Sequence, residues 1–170
     1  MKKFSFIVLI GFCLFFVSCK KQLPQLPSNK GNAVDRSSES MLLINHNLSI
    51  KEDSLLQKFV ESKRAFKKNE IGFWYQVFNV GNSTKVTDSI KCSFDFKILK
   101  LDGKLLQTGN KQIIIGKKQE ITGLEEGLKM MHKGDSATFI IPWYLAYGMK
   151  GEAQLIAPYT SLVFKIKLSD

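Results

Sequence analysis

The chain has 170 residues, enough for about one domain. Hydrophobic residues make up 44%, charged residues 24% and the net charge is +10, which excludes a disordered chain, a collagen-like repeat and a multi-span membrane protein. Two histidines and three cysteines leave little material for a metal or disulfide framework.

Residues 1–18 read as a signal peptide. Lys2 and Lys3 form a positive start, and an apolar run of about fourteen residues follows from Phe4 to Val17. That run falls short of the roughly twenty residues a membrane span needs. Phe16-Val17-Ser18-Cys19 resembles a bacterial lipobox, with Phe16 in place of the usual Leu. The resemblance implies cleavage before Cys19 and a lipid on its thiol. Each buried CH₂ of the acyl chains adds about 0.8 kcal/mol, so several chains hold a protein firmly on a membrane.

Cysteine use agrees. Cys13 leaves with the signal and Cys19 is blocked by lipid, so Cys92 remains as the one free thiol. Cleavage removes 18 of 170 residues and leaves 152; with Lys2 and Lys3 gone, the charge falls from +10 to +8. A basic balance suggests nucleic acid, but export removes that partner, and the lysines are scattered. Attraction to anionic lipid or to acidic partners survives, with Lys20 and Lys21 placed near headgroups. Neither is one of the acidic residues associated with inner-membrane retention or surface export. The expected location is therefore the envelope, at the periplasmic face of the outer membrane.

Residues 19–41 read as a lipid-anchored flexible tether, because Pro24, Pro27, Gly31 and several Ser and Asn interrupt a stretch poor in apolar groups. Residues 42–70 form an amphipathic helix region. Ser49-Ile50-Lys51-Glu52 fits a capping box. Leu55, Leu56, Phe59, Val60 and Phe66 then recur at helical spacing against Lys51, Lys58, Lys63, Arg64, Lys67 and Lys68, and the helix is expected to end near Asn69. Its stripe faces either the following domain or a second copy.

From residue 71 to 170 the period changes. Phe73 to Phe78 is aromatic and β-prone. Ile90, Cys92, Phe94, Phe96 and Ile98 fall on one strand face and Lys91, Ser93, Asp95 and Lys97 on the other. Asp102-Gly103 signals a hairpin. Gln112–Ile115, Ser136–Ile141 and Leu162–Leu168 read as further strands. One short helix interrupts them: Thr122-Gly123-Leu124-Glu125 fits a second capping box, Leu124, Leu128 and Met131 form its stripe, and Gly134 suits its C-terminal end. The expected class is α+β, a curved antiparallel sheet covering one short helix, preceded by the N-terminal amphipathic helix.

Covalent chemistry finds no support. There is no Gly-rich phosphate loop and no Cys–His pair at metal spacing, so no metal or other cofactor is expected. His132 reads as a surface residue or a helix-dipole partner. Glu125 reads as a cap and Glu126 as solvent-facing, while Ser93, Ser136 and Ser161 lack a nucleophile-elbow context. What stands out is Pro142-Trp143-Tyr144-Leu145-Ala146-Tyr147-Gly148, a long irregular loop, and the return through Leu155-Ile156-Ala157-Pro158. An aromatic hydroxyl beside aliphatics suits a small apolar binding pocket.

At this point the sequence resembles the FK506-binding-protein (FKBP) class of peptidyl-prolyl cis–trans isomerases. Gly123-Leu124-Glu125-Glu126-Gly127-Leu128-Lys129-Met130-Met131 resembles the family's central helix. Ala137-Thr138-Phe139-Ile140-Ile141-Pro142 with Leu145-Ala146-Tyr147-Gly148 resembles its signature strand and turn, and Leu155 to Pro158 with Ser161 to Phe164 its closing loop and strand. The match spans roughly residues 72 to 168. The whole layout, lipobox, charged helix and Gly72-Phe73-Trp74-Tyr75, resembles the gliding-motility-associated lipoprotein isomerases of Bacteroidetes-type bacteria.

The resemblance implies an FKBP-like fold and a non-covalent isomerase acting on proline-containing exported polypeptides. It implies that Tyr147 binds a substrate carbonyl through its hydroxyl and that Ile121 meets the ligand with its backbone N–H and side chain. It places Leu124 on the pocket floor, where the family often has Trp, and Phe96 where the family has Tyr. Leu155 and Ile156 become the loop wall and Phe164 the back wall. Leu106 replaces a wall Phe and Gln107 the Asp that usually follows it. These changes keep the pocket apolar but alter its shape, so a catalytically weak FKBP-like chaperone or binding module in an envelope assembly stands as the alternative.

Overall fold

The computed structural model describes residues 31–63, 65–78 and 83–169, with side chains from residue 38. The expected signal peptide, the lipid site at Cys19 and the first part of the tether lie outside the described residues. The chain divides after Leu42, and residues 43–170 form the unit that carries the sheet.

Six strands build that sheet: β1 (Lys67–Lys68), β2 (Trp74–Phe78), β3 (Lys91–Lys100), β4 (Leu105–Ile114), β5 (Ser136–Ile141) and β6 (Leu162–Leu168). The spatial order is β1-β2-β5-β6-β3-β4 and every pairing is antiparallel. The sheet is curved and open, as the α+β reading expected. β3 and β4 are joined at the expected Asp-Gly turn. There Gly103 sits at φ +88°, and the Lys104 N–H donates to Asp102 Oδ1 at 2.8 Å. β4 begins earlier than its expected Gln112, so Leu106 and Gln107 are strand residues.

Alternation sorts the side chains onto two faces. Phe94, Phe96 and Ile98 of β3, Phe139 and Ile141 of β5, and Leu162, Phe164, Ile166 and Leu168 of β6 point inward and are buried. Against them lies the short helix α2 (Thr122–Leu128), whose Leu124 and Leu128 are buried in the same cluster. The helix lies close because two glycines face the strand. A Cβ on Gly123 would stand 2.5 Å from Ile141 Cγ2, and one on Gly127 2.9 Å from Phe139 Cε1. The motif Gly-x-x-x-Gly is thus a steric requirement of helix-on-sheet packing here.

The opposite face is also covered, at its centre. Trp74, Ile140 and Val163 are mutual register partners across β2, β5 and β6 and point outward. Leu56 and Val60 of the long helix α1 (Gly31–Glu61) are buried against them, with Phe59 and Phe66 beside. Of the two alternatives open for its stripe, α1 therefore packs on its own sheet.

Several boundaries differ from expectation. Residues 31–41, expected as tether, are helical: no proline follows Pro27 before Pro142, so nothing stops the helix, and polarity alone does not. Ser49 is consequently mid-helix, and its hydroxyl donates to the His46 carbonyl at 2.8 Å instead of capping. Leu55 is exposed, outside the buried stripe. The helix stops at Glu61, not Asn69, because Lys67 and Lys68 pair with Tyr75 and Trp74 as β1. α2 starts one residue too early for its capping box, with Thr122 already helical. Ile121 is the N-cap with no side-chain bond, and Glu125 instead reaches back to accept the Gln119 N–H at 2.8 Å. Met131 lies beyond its last turn, yet is fully buried.

Gly123→Ala is expected to destabilise the fold by about 1–3 kcal/mol, since the new methyl overlaps Ile141. Urea unfolding measures this, and an unchanged midpoint would refute the close-packing account.

Candidate functional site

On the concave face, α2 and the inward strand residues leave a small cavity of about 40 Å³. Phe94, Phe96 and Ile98 of β3 and Phe164 of β6 form its walls, Leu124 of α2 its floor, and Tyr147 stands at its edge. Gln107, Lys111, Glu120 and Glu152 complete the lining. The wall residues meet because β3 pairs β6, with Ile98 opposite Phe164 and Phe96 opposite Ile166. The Phe94 and Phe96 rings meet edge-on at 6.4 Å. Opposite Phe96 stands Gly109, where a Cβ would come within 3.3 Å of the Phe96 ring.

Tyr147 is positioned by a tightly hydrogen-bonded turn. Residues Trp143–Leu145 form a single 3₁₀ turn. The Gly148 N–H returns to the Trp143 carbonyl at 2.9 Å, and the Gly151 N–H to the Tyr147 carbonyl at 3.1 Å. The long helix braces this turn. The Tyr144 hydroxyl donates to Asp53, and Ser161 donates to Glu52 while accepting the Trp143 N–H at 3.0 Å. Trp143 is packed edge-on between Tyr144 and Tyr159.

The rim is polar. Lys111 pairs with Glu120, whose side chain is only 6% exposed, and the Lys111 ammonium lies 5.9 Å from the Phe96 ring centre. Glu152 lines the cavity beside Tyr147. Burial, then the neighbouring Glu152 and Glu120 charges, hold the Tyr147 phenol well above the usual tyrosine range. Burial and the bond to Asp53 do the same for Tyr144. Among the described residues no acceptor meets the Ile121 N–H, while the Ile121 carbonyl accepts from Leu124 and Glu125 at 3.0 and 3.1 Å.

Of the expected pocket residues, the structure brings Phe96, Leu124, Phe164, Tyr147 and Gln107 to this one cavity. Ile156 is buried in the adjoining core, and Ile121 and Leu106 pack against the same cluster. Leu155 does not join them. Its side chain is 40% exposed, because the Glu152–Ile156 bridge turns the intervening residues outward. Phe94 and Ile98 were readable from the alternation of β3. Lys111, Glu120 and Glu152 had no periodic signal, being charged residues on an edge strand and in loops. A larger groove of about 350 Å³, lined by Ala65, Lys67, Tyr75, Gln76, Val77 and Met130, lies by β1 and β2 and holds none of the motif residues.

This chemistry has a pH consequence. A phenol held above its unfolded value of about 10 keeps the folded state stable below that pH. That contribution is lost as the pH rises through the folded value. Thermal melts from about pH 9 upward should show the wild type losing stability faster than a Tyr144→Phe, Tyr147→Phe double variant. Parallel curves would contradict it.

In comparison with known proteins, the family described as FKBP-type peptidyl-prolyl cis-trans isomerase matches residues 81–169. Among solved structures, a peptidyl-prolyl cis-trans isomerase from Pseudomonas syringae pv. tomato is 22% identical, covering 72% of this chain and 94% of that one, with a TM-score of 0.61. FkpA from Escherichia coli is 22% identical over 100% of this chain and 82% of its own, with a TM-score of 0.59. AtFKBP13 is 24% identical over 60% and 94%, with a TM-score of 0.56. At these identities the likeness concerns the fold. No curated protein gives a significant match. The family match spans just over half of the sequence and takes in α2, the Tyr147 turn and the closing strand, and the chain therefore belongs to the FKBP-type peptidyl-prolyl cis-trans isomerase family.

Proposed function

We propose that the chain is an envelope lipoprotein isomerase that assists the folding of exported, proline-containing polypeptides through the cavity at Tyr147. The observation that carries this reading is the grouping of one phenol hydroxyl with Phe96, Phe164 and Leu124 in a single concave cavity, beside an Ile121 N–H without a partner among the described residues.

The chemistry needs no more. The barrier to rotation about X–Pro comes from amide resonance, about 18–20 kcal/mol in ordinary peptides, and uncatalysed exchange takes tens to hundreds of seconds. Rotation through the twisted amide makes and breaks no covalent bond. The planar amide is the more dipolar form, and an apolar cavity disfavours it relative to the twisted one. That is differential binding of the transition state. In this reading the Tyr147 hydroxyl and the Ile121 N–H hold two substrate carbonyls while the bond turns, and the aromatic walls exclude water.

One observation favours a second reading, a weakly active chaperone or binding module. The cavity is only about 40 Å³. A protease-free prolyl isomerisation assay on the full chain separates the two. Catalysis above buffer supports the enzyme. A folded chain with the buffer rate sinks that reading in favour of the binding module. Tyr147→Phe is expected to lower the rate about five- to tenfold, the worth of one lost hydrogen bond, with an unchanged circular dichroism spectrum. An unaltered rate would remove Tyr147 from the mechanism.

The envelope role rests on residues 1–19. The lipobox-like Phe16-Val17-Ser18-Cys19 supports a lipid at Cys19 and an outer-membrane location facing the periplasm. The layout's likeness to gliding-motility-associated lipoprotein isomerases supports a link to gliding. Radiolabelled palmitate should enter the wild type and not a Cys19→Ser protein. Label retained by that variant would refute the anchor.

A further inference from the structure

Glu125 of α2 is buried, at 6% exposure, and forms no ion pair among the described residues. Enclosing a carboxylate is costly unless donors meet it. Backbone donors do so here. Glu125 Oε1 accepts the Gln119 N–H at 2.8 Å and, more weakly, the Glu120 N–H at 3.4 Å.

These are not the donors of a capping box. In that motif the acid at the third helical position takes the N–H of the N-cap itself. The N-cap here is Ile121, so the third position belongs to Leu124, which has no acceptor in its side chain. Glu125 stands one residue farther on and reaches past Ile121 to the amides before it. The Ile121 N–H is skipped, and it meets no acceptor among the described residues. On the other side of Ile121, the Glu125 N–H donates to the Ile121 carbonyl at 3.1 Å. One residue thus grips the chain before and after Ile121 and leaves its N–H open.

We propose that Glu125 is a positioning residue for the isomerase, its carboxylate aiming the Ile121 N–H at a substrate carbonyl. This rests on the reading of the Tyr147 cavity as the isomerase site. The rigid plane of the Glu120–Ile121 peptide sets where that N–H points. Glu125 holds the chain on both sides of that plane. Without its carboxylate the preceding loop keeps its ties to β4, through Gln119 to the Ile114 N–H and through Glu120 to Lys111, but loses those to α2. The donor would then no longer be fixed relative to Leu124 on the cavity floor. A carbonyl held before and during rotation is bound equally in the ground and transition states, so loosening its donor acts on KM and not on kcat.

Two variants of the full chain, assayed on a proline-containing tetrapeptide, test this. Glu125→Gln keeps an accepting oxygen, and Glu125→Met keeps the length without one. Glu125→Met should raise KM about five- to tenfold, the worth of one hydrogen bond, with kcat and the glutamine variant both within about twofold of wild type. Amide hydrogen exchange should quicken at Gln119 and Glu120 in Glu125→Met and not in Glu125→Gln. Should circular dichroism show the methionine variant unfolded, Glu125→Ala is read in its place. An unchanged KM in the variant without an acceptor, or a glutamine variant equally impaired, would overturn this role. If the wild type accelerates nothing, the isomerase reading falls separately, and the Ile121 amide resonance decides on Glu125 when the same tetrapeptide is added. A shift in the wild type that Glu125→Met loses sustains the role; a shift that survives, or none at all, ends it.

Discussion

The close approach of α2 to β5 is the constraint on which the remainder of the domain depends. Gly123 and Gly127 remove the side chains that would hold the helix off the sheet, and Ile141 and Phe139 fill the space. Leu124, next to Gly123, is then driven into the concave face among Phe94, Phe96 and Phe164. A helix standing one methyl farther away would leave a void under the aromatic walls. Protein interiors are packed closely enough that such a void forfeits contacts on every side. The floor of the cavity and the stability of the core therefore come from the same two glycines.

The outer face of the sheet serves the site indirectly. Leu56 and Val60 of α1 cover Trp74 and Ile140, and the same helix sends Glu52 to Ser161 and Asp53 to Tyr144. Ser161 in turn receives the Trp143 N–H at the start of the turn that carries Tyr147. A helix on one side of the sheet thus fixes a turn whose key phenol faces the other side. Buried polar groups need their partners, and this small network supplies them where the chain leaves β5 and enters β6.

The cavity carries its polar groups at the rim. Burial and the neighbouring Glu152 and Glu120 charges hold the Tyr147 phenol above its usual range, so its hydroxyl keeps a proton to donate. The Ile121 N–H meets no acceptor among the described residues and offers a second donor beside the apolar walls.

By itself the sequence determined what depends on periodicity and on short-range chemistry. The alternation of Cys92, Phe94, Phe96 and Ile98, the Asp102-Gly103 turn, the limits of β5 and β6 and the short helix with its glycines were all legible, because each is decided within a few residues. The motif also placed Tyr147, Phe96, Phe164 and Leu124 together. Tertiary structure alone decided that Lys67 and Lys68 leave an apparently helical pattern to pair with Tyr75 and Trp74, and that Leu155 turns outward. It also decided that Glu152 lines the same cavity as Tyr147. A charged loop residue carries no period, and its place is set only when the backbone closes at Gly151 and Ile156. Local sequence sets which faces are apolar. Which polar group meets which is set by where the folded chain returns.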